Sequence, residues 1–357
     1  MTLPNSATNS ASAIEAAETP IFLIGAERSG TTLLRLMLDG HGKITWSHEF
    51  EYAVDLLSDA GHWPDLAQYY DWLETHRIFL ANQFVIDRRL DYHDLVTSFL
   101  QQQRDRHSKP IVGATVHRHF GRLLKLWPKA KLIYLLRDGR DVARSNIGMG
   151  WAGNVWTGSQ RWLEAETEWQ RIKSDLPCEQ WIELHYEDLI QHPELELSRL
   201  CDFVGVAYEP QMMSYVERTS YSYPDPTRVQ QWQEKLSDRQ IRLLEARIAP
   251  VLDQRGYRLS GLPPLEVSPR LKTYLRLQSW ASRATFRLRR YGVRLFVADF
   301  LARKLKLTAW QKRVQRVIND RQTQCIKLMD GAGSDSDRKA KHLAEIRQTE
   351  SLTSSPP

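Results

Sequence analysis

The loop at residues 25–30 limits what this chain can fold into more than any other feature of its sequence. The apolar run Ile21–Ile24 precedes the loop, and an apolar pattern at helical spacing follows it from Thr32 onward. A loop between a buried strand and a helix aims successive backbone N–H groups at one point, and the helix dipole favours negative charge there. We therefore expect an α/β protein that binds an anionic group at this loop.

The loop has the glycine spacing of a nucleotide-binding P-loop but lacks the lysine. Thr31 stands at the lysine position of a Walker-type loop, and Arg28 lies three residues earlier. Gly30 permits close approach of the backbone. Hydroxyl groups are available from Ser29, Thr31 and Thr32. Phosphoryl transfer uses the lysine and a magnesium ion, whereas a sulfuryl group has less charge to neutralise, so a metal-free loop with arginine and hydroxyls is sufficient. Glycines at this spacing also serve ordinary tight turns.

Three further apolar runs predict strands, and helical patterns separate them. They are KITW (43–46), KLIYLLR (131–137) and WIELHY (181–186). The alternation of strands and helices across residues 20–260 predicts a parallel sheet with helices on its faces, in a P-loop-type three-layer α/β fold. The aromatic and polar segment 53–108 is predicted to be helical and is a natural place for a substrate lid.

The chain divides into five predicted segments. They are a disordered lead-in (1–18), the α/β domain (19–260), a linker (261–269), a basic helical extension (270–330) and a polar, disordered tail (331–357). The N-terminus lacks the basic start and apolar centre of a signal peptide, and no apolar run is long enough for a membrane-spanning helix. The three cysteines have no metal or disulfide spacing, which fits a reducing cytoplasm.

Positive charge is concentrated in the predicted extension. The chain has a net charge of +6, yet residues 268–321 hold 15 Lys or Arg and two acids, which gives +13 there and −7 elsewhere. The basic residues are Arg270, Lys272, Arg276, Arg283, Arg287, Arg289, Arg290, Arg294, Arg303, Lys304, Lys306, Lys312, Arg313, Arg316 and Arg321. This pattern fits a basic helical pair packed on the body, or a surface helix that meets anionic lipid or a polyanionic substrate. No recognition motif predicts a nucleic-acid partner.

The segment LIYLLRDGRDVARSNIGMG (132–150) offers a second place for an anionic group. Arg137 stands at the exit of a predicted strand, and Ser145 follows eight residues later. If a helix begins near Asp141, the two side chains lie at its ends or along one face and share a phosphate. Arginine gives bidentate contacts and serine adds a hydroxyl, although RDGRD by itself also fits a charged turn.

Together these two segments resemble the nucleotide-binding sulfotransferases. RSGTT (28–32) is similar to the family's 5′-phosphosulfate loop, and Arg137 with Ser145 is similar to its 3′-phosphate motif. IELHYEDLIQHPE (182–194) resembles the segment whose tyrosine borders the nucleotide, which is Tyr186 here. PKAKLIYLLRDGRDVARS (128–145) is especially similar to the Golgi-type and bacterial branch with tyrosylprotein and carbohydrate sulfotransferases. The resemblance covers about residues 18–258, and three motifs in family order are far more specific than any one.

The resemblance implies an enzyme that transfers a sulfuryl group from 3′-phosphoadenosine 5′-phosphosulfate to a hydroxyl or amine, without a metal. Arg28, Ser29, Gly30, Thr31 and Thr32 would hold the phosphosulfate. Arg137 and Ser145 would grip the 3′-phosphate, and Tyr186 would line the adenosine. The acceptor would be a small molecule, carbohydrate or peptide, drawn into a pocket formed by the variable segments 53–108 and 146–165.

Direct in-line transfer needs a base for the proton of the acceptor and a cation near the leaving group. In the tyrosylprotein-type branch the base is a glutamate shortly after the first helix, and Glu49, 21 residues after Arg28, matches that position. Glu51 and His48 are the alternative bases. Arg28 is the expected stabiliser of the leaving phosphosulfate.

The sequence departs from the family pattern at the position of a catalytic lysine. Many relatives carry a Lys-x-Pro segment where this chain reads GATVHRHF, so Thr115 stands at the lysine position. His117, Arg118 or His119 would have to supply the missing cation, and their spacing does not choose among them. This departure affects the expected mechanism more than the expected nucleotide binding.

A second departure concerns a late lysine that closes over the 3′-phosphate in relatives. Gln231, before Trp232, stands in its place, and Arg228 or Lys235 would reach the phosphate instead. Thr219 matches a family hydroxyl near the nucleotide. We include Arg228 among the expected nucleotide-binding residues.

Two other classes of function compete with sulfuryl transfer. A P-loop kinase or another nucleoside-triphosphate enzyme is disfavoured by Thr31 at the lysine position and by the lack of a convincing magnesium-holding acid after a later strand. An inactive nucleotide-binding scaffold at a membrane is suggested by Thr115 and the basic extension. Such a scaffold would bind the donor without turnover.

Overall fold

A five-stranded parallel sheet forms the centre of the fold. The computed structural model describes residues 19–305 and 307–331, with side chains as far as residue 322. The predicted lead-in (1–18) and the tail beyond residue 331 lie outside the described residues. The strands are β1 Ile21–Ile24, β2 Ile44–Glu49, β3 Ile111–Val116, β4 Lys131–Leu136 and β5 Trp181–His185. Their order across the sheet is β2-β3-β1-β4-β5.

The central position of β1 decides which loops become neighbours. β1 pairs with β3 on one side and with β4 on the other, so Ile24 lies opposite both Val116 and Tyr134. The carboxyl ends of parallel strands meet at one edge of a sheet. The loop after β1 is therefore flanked by the residues that follow β3 and by Arg137, which follows β4.

Helices cover both faces of the sheet and confirm the predicted three-layer α/β architecture. The helices of the body are α1 Thr31–Asp39, α2 Leu66–Leu73, α3 Arg77–Asn82, α4 Tyr92–His107, α5 Phe120–Leu126, α6 Gly139–Gly148, α7 Val155–Gly158, α8 Gln160–Lys173, α9 Tyr186–Gln191, α10 Pro193–Val204, α11 Tyr215–Arg218, α12 Trp232–Lys235 and α13 Asp238–Gln254. Phe22 and Ile24 of β1 belong to the hydrophobic core that includes α4, α5 and α8, whereas Ile21 and Leu23 belong to the core that includes α1 and α10. This alternation is that of a strand buried on both faces.

Strand β3 is missing from the strands that the sequence predicts. Its residues, IVGATV, include few large apolar side chains. Gly113 lies against the Trp46 ring, where an added Cβ would be 2.3 Å from the ring atom Cζ3. The position therefore requires glycine, and glycine weakens the strand signal.

The segment 53–108 contains helices α2, α3 and α4, as predicted. Its aromatic residues are largely internal: Tyr69 and Tyr92 are buried, and their hydroxyls donate to the backbone carbonyls of Tyr52 and Ala53, at 2.9 and 2.8 Å. Aromatic side chains of this kind bury much apolar area while the hydroxyl keeps a partner. The lid role of the segment remains a prediction.

Two long helices, α14 Pro269–Lys304 and α15 Thr308–Gly331, form the C-terminal extension. Gly292 interrupts α14 with a non-helical backbone (φ 77°, ψ 161°) that favours glycine. Among the described residues, none of the helices combines the length and the apolarity that a bilayer crossing requires.

The extension packs on the body at two separate places. Near the middle of the first half of α14, Ser279 Oγ accepts from the Gly153 amide at 3.0 Å, and the carbonyl of Leu275 accepts from Asn154 Nδ2 at 2.7 Å. On α15, Asn319 Nδ2 donates to the carbonyl of Thr75 at 2.9 Å. Each helix of the extension therefore contacts the body along one side.

Replacing Gly25 with alanine is expected to lower the free energy of unfolding by about 1–3 kcal/mol. Gly25 has φ 150°, and a Cβ there would lie 2.5 Å from the carbonyl oxygen of Leu135 in β4, a backbone atom that cannot rotate away. Urea denaturation measures the change. The control is Gly148→Ala, because a Cβ at that helical position meets no atom within 4 Å. Equal destabilisation by the two substitutions would contradict the steric explanation.

Candidate active site

The loop after β1 has a strained backbone that holds its side chains in place. Arg28 has φ 74°, which is uncommon for a residue other than glycine, and Gly30 has φ 99°. A Cβ on Gly30 would lie 2.3 Å from Cδ2 of Tyr186, so glycine at this position lets the Tyr186 ring pack against the loop. The predicted phosphosulfate loop and the predicted nucleotide-bordering tyrosine are therefore in direct contact.

The two predicted anion-binding places, which we call cradles, are residues 28–32 and the pair Arg137 and Ser145, and they meet through Arg28. Its Nε donates to Ser145 Oγ at 3.0 Å, and its carbonyl accepts from Arg137 Nη1 at 3.2 Å. The Arg137 guanidinium also lies over the Tyr186 ring, with 4.2 Å between Cζ and the ring centroid. The structure thus brings Arg28, Arg137, Ser145 and Tyr186 into one cluster.

Arg137 is held by groups from several elements. Its Nη2 donates to the carbonyl of Arg228 at 3.0 Å, and Nη2 lies 3.6 Å from Oδ2 of Asp141 in α6. The indole Nε1 of Trp162 donates to the Arg137 carbonyl at 2.9 Å. Burial raises the pKa of Asp141, and the nearby Arg137 charge opposes that rise. These contacts fix the backbone and the guanidinium of Arg137 at the carboxyl end of β4.

Several buried polar atoms around this cluster have no hydrogen-bond partner in the described part of the chain, and two of them belong to the predicted anion-binding residues. These two are Oγ of Ser29, in the loop, and Nε of Arg137. Buried polar groups without partners are uncommon in proteins. A hydroxyl and a guanidinium N–H are both donors suited to phosphate or sulfate oxygens. The residues present therefore fit an anionic group at each end of the cluster.

Glu187 joins the tips of β4 and β5 beneath this cluster, and sequence reasoning did not single it out. Its Oε1 accepts from the Asp138 amide at 3.0 Å, and its Oε2 accepts from the Tyr257 hydroxyl at 3.0 Å. Burial raises the pKa of Glu187 to about 6. Because Asp138 follows Arg137 and Glu187 follows Tyr186, this carboxyl group links the backbones that carry two of the predicted nucleotide-binding residues.

Glu51, one of the alternative bases, is engaged in a buried pair with His117. Its Oε1 accepts from the His117 amide at 3.1 Å and lies 2.7 Å from His117 Nδ1. Burial alone would raise the pKa of Glu51, but the hydrogen bond and the charge of His117 outweigh it, and the pKa is lowered. A buried carboxylate with a lowered pKa and a fixed partner is poorly suited to accept a proton from an acceptor.

Glu49 has a different environment and its pKa is shifted in the opposite direction to that of Glu51. It is the last residue of β2 and is half-buried, and its pKa is raised by burial and by the charge of Glu51, against smaller opposing effects of His117, Arg77 and Arg35. A raised pKa brings a carboxylate closer to the range in which a general base works best. His48, the other alternative, is exposed beside it.

A bulge in β2 determines the direction of Glu49. Trp46 pairs with Gly113, yet Glu49 pairs with Thr115, so β2 contains one residue more than β3 between these pairs. An extra residue of this kind reverses the alternation of the side chains that follow. Glu49 and Trp46 therefore lie on the same face of the sheet, the face covered by α1.

Among the three residues expected to replace the missing lysine, His117 is the one with a hydrogen bond to the loop. Its Nε2 lies 3.0 Å from Thr31 Oγ1, with both side chains buried. Burial alone would lower the pKa of His117, but the hydrogen bond and charge of Glu51 outweigh it and raise the pKa above the usual value. Arg118 instead pairs with Asp55 at 2.6 Å. The third candidate, His119, precedes α5 and has its pKa lowered by burial.

The Thr115 side chain is packed against the sheet and is not available to a ligand. It is buried, and its Oγ1 accepts from Nε1 of Trp46 at 3.1 Å. A lysine would not fit this position without moving the Trp46 ring. A correct strand order would have identified His117. Because β3 lies next to β1, the residue that follows β3 must approach the loop after β1.

The late segment approaches the cluster mainly through its backbone. The Arg228 carbonyl accepts from Arg137, whereas the Arg228 side chain is 65% exposed, 3.6 Å from Asp225. Gln231 accepts a hydrogen bond from Arg144, and Lys235 is exposed. The Thr219 hydroxyl donates to the carbonyl of Tyr215 at 2.9 Å, which is a local bond at a helix end.

Comparison with known proteins gives a consistent result. A family model described as the sulfotransferase family matches residues 20–210, more than half of the chain. The chain is 23% identical to protein-tyrosine sulfotransferase A of Caenorhabditis elegans over 277 residues, which cover 68% of each chain. It is 25% identical to protein-tyrosine sulfotransferase 1 of Danio rerio over 272 residues, which cover 68% of this chain and 74% of that one.

Among solved structures, the sulfotransferase domain from the curacin biosynthetic pathway matches with a TM-score of 0.45 and 19% identity, over 68% of this chain and 98% of that domain. The family model, its coverage and the order of the motifs along the chain agree. This protein therefore belongs to the sulfotransferase family and is an enzyme that takes its sulfuryl group from 3′-phosphoadenosine 5′-phosphosulfate.

Proposed function

We propose that the cluster around Arg28 is the donor site, with each end assigned to particular residues. The phosphosulfate end would be held by Arg28, Ser29, Gly30, Thr31 and Thr32. The 3′-phosphoadenosine end would be held by Arg137, Ser145, Tyr186 and Arg228. The observation that carries this assignment is the direct contact of Arg28 with both Ser145 and Arg137, since one doubly charged ligand can then span both cradles.

The donor supplies an activated sulfuryl group, and the protein residues orient it and move the proton. Glu49 accepts the proton of the attacking hydroxyl, because its carboxylate is free of the His117 pair that occupies Glu51. Arg28 places a guanidinium at the loop, where negative charge develops on the leaving group. His117 places its imidazole against the Thr31 hydroxyl, and the hydrogen bond and charge of Glu51 raise the pKa of His117, so His117 is the proposed substitute for part of what the absent lysine would provide.

The acceptor hydroxyl would enter from the side formed by segments 53–108 and 146–165. Trp151 is exposed there, and the Arg161 guanidinium lies 5.1 Å from its ring centroid. Arg161 also pairs with Glu27 of the loop at 2.5 Å, so this aromatic surface is tied to the donor side. Because the related proteins are named protein-tyrosine sulfotransferases, a peptide tyrosyl hydroxyl is the first acceptor to test, followed by small phenols and carbohydrates.

The proposed setting is the cytoplasm, with residues 19–260 as the transferase domain and residues 270–330 as an extension that makes peripheral contact with an anionic membrane. The concentration of positive charge in residues 268–321 supports the contact of the extension with an anionic membrane. In this proposal the extension recruits the enzyme to the membrane and takes no part in sulfuryl transfer.

Adenosine 3′,5′-bisphosphate is expected to raise the melting temperature by about 5–10 °C at a hundred times its dissociation constant. ATP at the same concentration, with or without magnesium, is expected to raise it far less, because it has no 3′-phosphate for Arg137 and Ser145. Differential scanning fluorimetry measures both. Stronger stabilisation by magnesium–ATP would instead favour a nucleoside-triphosphate enzyme.

Donor binding by itself does not separate an enzyme from an inactive scaffold. An acceptor screen with donor carrying radioactive sulfur, starting with tyrosine-containing peptides, makes that distinction. Transfer of the label to an acceptor supports the enzyme, and tight donor binding without transfer to any acceptor class would favour the scaffold.

A further inference from the structure

The first half of α14 has two sides of opposite character. Leu275 and Ser279 face the body and are almost fully buried. Tyr274, Leu277 and Trp280 are 58%, 63% and 65% exposed. At about 100° per residue, Leu277 lies opposite the buried row. The helix therefore carries an apolar outer side that the body leaves open to solvent.

A row of arginines borders this apolar outer side. Arg276, Arg283 and Arg287 recur at spacings of seven and four residues, which places them along one line of the helix. All three are exposed. Residues 269–298 contain eight basic residues and no acidic residue, so no carboxylate within this stretch of helix neutralises the row.

The second half of α14, beyond Gly292, repeats the pattern. Val293, Val297 and Phe300 are 67%, 43% and 54% exposed, and they recur at the i, i+4, i+7 spacing of one helix face. Asp299, the one acid of this half, pairs with Arg303 at 2.8 Å. The positive charge of the helix is therefore reduced only near its C-terminal end.

Single exposed apolar residues are ordinary on protein surfaces, but aligned apolar and basic rows are not. A helix with this arrangement fits the interface of a membrane, where the apolar row enters the acyl boundary and the cations meet anionic head groups. A polyanion such as nucleic acid would engage the arginines and leave Leu277 and Trp280 in water. We propose that the outer side of α14 is the surface that binds an anionic lipid bilayer, an inference that rests on the peripheral membrane contact of the extension proposed above.

The test is co-sedimentation of the full chain with vesicles of phosphatidylcholine, with and without 30% phosphatidylserine. Binding is expected only to the vesicles with phosphatidylserine, and it is expected to fall as the salt concentration rises. Binding that is equal for the two vesicle compositions, or absent from both, would overturn the proposal.

Two sets of substitutions separate the two rows. Arg276→Gln with Arg283→Gln and Arg287→Gln removes the basic row, and Leu277→Ser with Trp280→Ser removes part of the apolar row. Each set is expected to weaken partitioning onto the anionic vesicles about tenfold or more. All five residues are exposed, so both variants should keep the melting temperature and the adenosine 3′,5′-bisphosphate affinity of the parent protein.

The matched control removes three exposed positive charges from the body, with Lys43→Gln, Arg239→Gln and Arg258→Gln. It has the same net charge as the arginine variant, so it should bind the vesicles nearly as well as the parent protein. An equal loss in the control would show attraction by net charge alone and would reject the helix as the docking surface. Loss of binding to a labelled single-stranded oligonucleotide, with vesicle binding unchanged in both variants, would likewise reject the bilayer in favour of nucleic acid.

Discussion

Replacing Glu49 with glutamine is expected to lower the turnover number about a hundredfold or more, while the affinity for adenosine 3′,5′-bisphosphate stays unchanged. Glutamine keeps the size of the side chain at the end of β2 but cannot take the proton of the acceptor. Steady-state kinetics measures turnover, and isothermal titration calorimetry measures the affinity. A variant that keeps full turnover would remove Glu49 from the mechanism.

The pH dependence gives a second measurement of the same group. The pKa of Glu49 is raised by burial and by the charge of Glu51, so the base is lost to protonation at a higher pH than an ordinary glutamate would be. Turnover of the parent enzyme should therefore fall as the pH drops through this raised pKa. In Glu49→Gln the residual activity should lack that acidic limb.

Glu51→Gln is the informative comparison, because it changes a neighbouring carboxylate with a different environment. Glu51 is buried and holds His117 at 2.7 Å, so its replacement should reduce stability and disturb the contact of His117 with Thr31. Breaking a buried pair commonly costs about 3–5 kcal/mol. If Glu51→Gln remains stable and loses turnover while Glu49→Gln remains active, the two roles are the reverse of those proposed.

Replacing Arg137 with alanine is expected to weaken the binding of adenosine 3′,5′-bisphosphate by about 2–3 kcal/mol, roughly 30- to 150-fold in the dissociation constant. The Arg137 guanidinium donates to the carbonyls of Arg28 and Arg228 and lies over the Tyr186 ring. It is therefore held in place before the ligand binds. Calorimetry with the bisphosphate measures the loss.

Two further variants serve as the control for Arg137→Ala and as a test of charge against geometry. Arg239→Ala removes an exposed arginine of the body and should leave the affinity unchanged. Arg137→Lys keeps the charge but loses the fork that spans the two carbonyls, so its affinity should be intermediate. Parent-like affinity in Arg137→Ala would separate the second cradle from nucleotide binding and would leave the loop alone as the anion site.

The local parts of the site are predictable because each is a short pattern with its own physics. The glycine loop between an apolar strand and an apolar helix is visible in the sequence, and so is an arginine at the end of a second strand. Their contact follows once both strands belong to one parallel sheet, since β1 and β4 are neighbours. The cluster of Arg28, Arg137 and Ser145 is thus a consequence of local signals and sheet geometry.

The contacts of His117 are less predictable, because they join positions far apart in sequence. Thr31 and His117 are 86 residues apart, and Glu51 and His117 are 66 apart. Their contact depends on β3, whose glycine, alanine and threonine give a weak strand signal. No residue pattern in the sequence indicates the β2 bulge before Glu49. The face of the sheet on which the Glu49 carboxylate lies therefore could not be predicted either.

The packing of α14 on residues 150–157 limits how the extension could be exchanged between proteins. Gly150 has φ 71°, and its backbone lies so close to Phe286 that a Cβ would be 2.3 Å from the ring. The Gly153 amide finds its partner in Ser279. A change at Gly150 or at Phe286 therefore requires a matching change across this contact, and we expect these helices to be grafted onto a relative successfully only if residues 150–157 are transplanted with them.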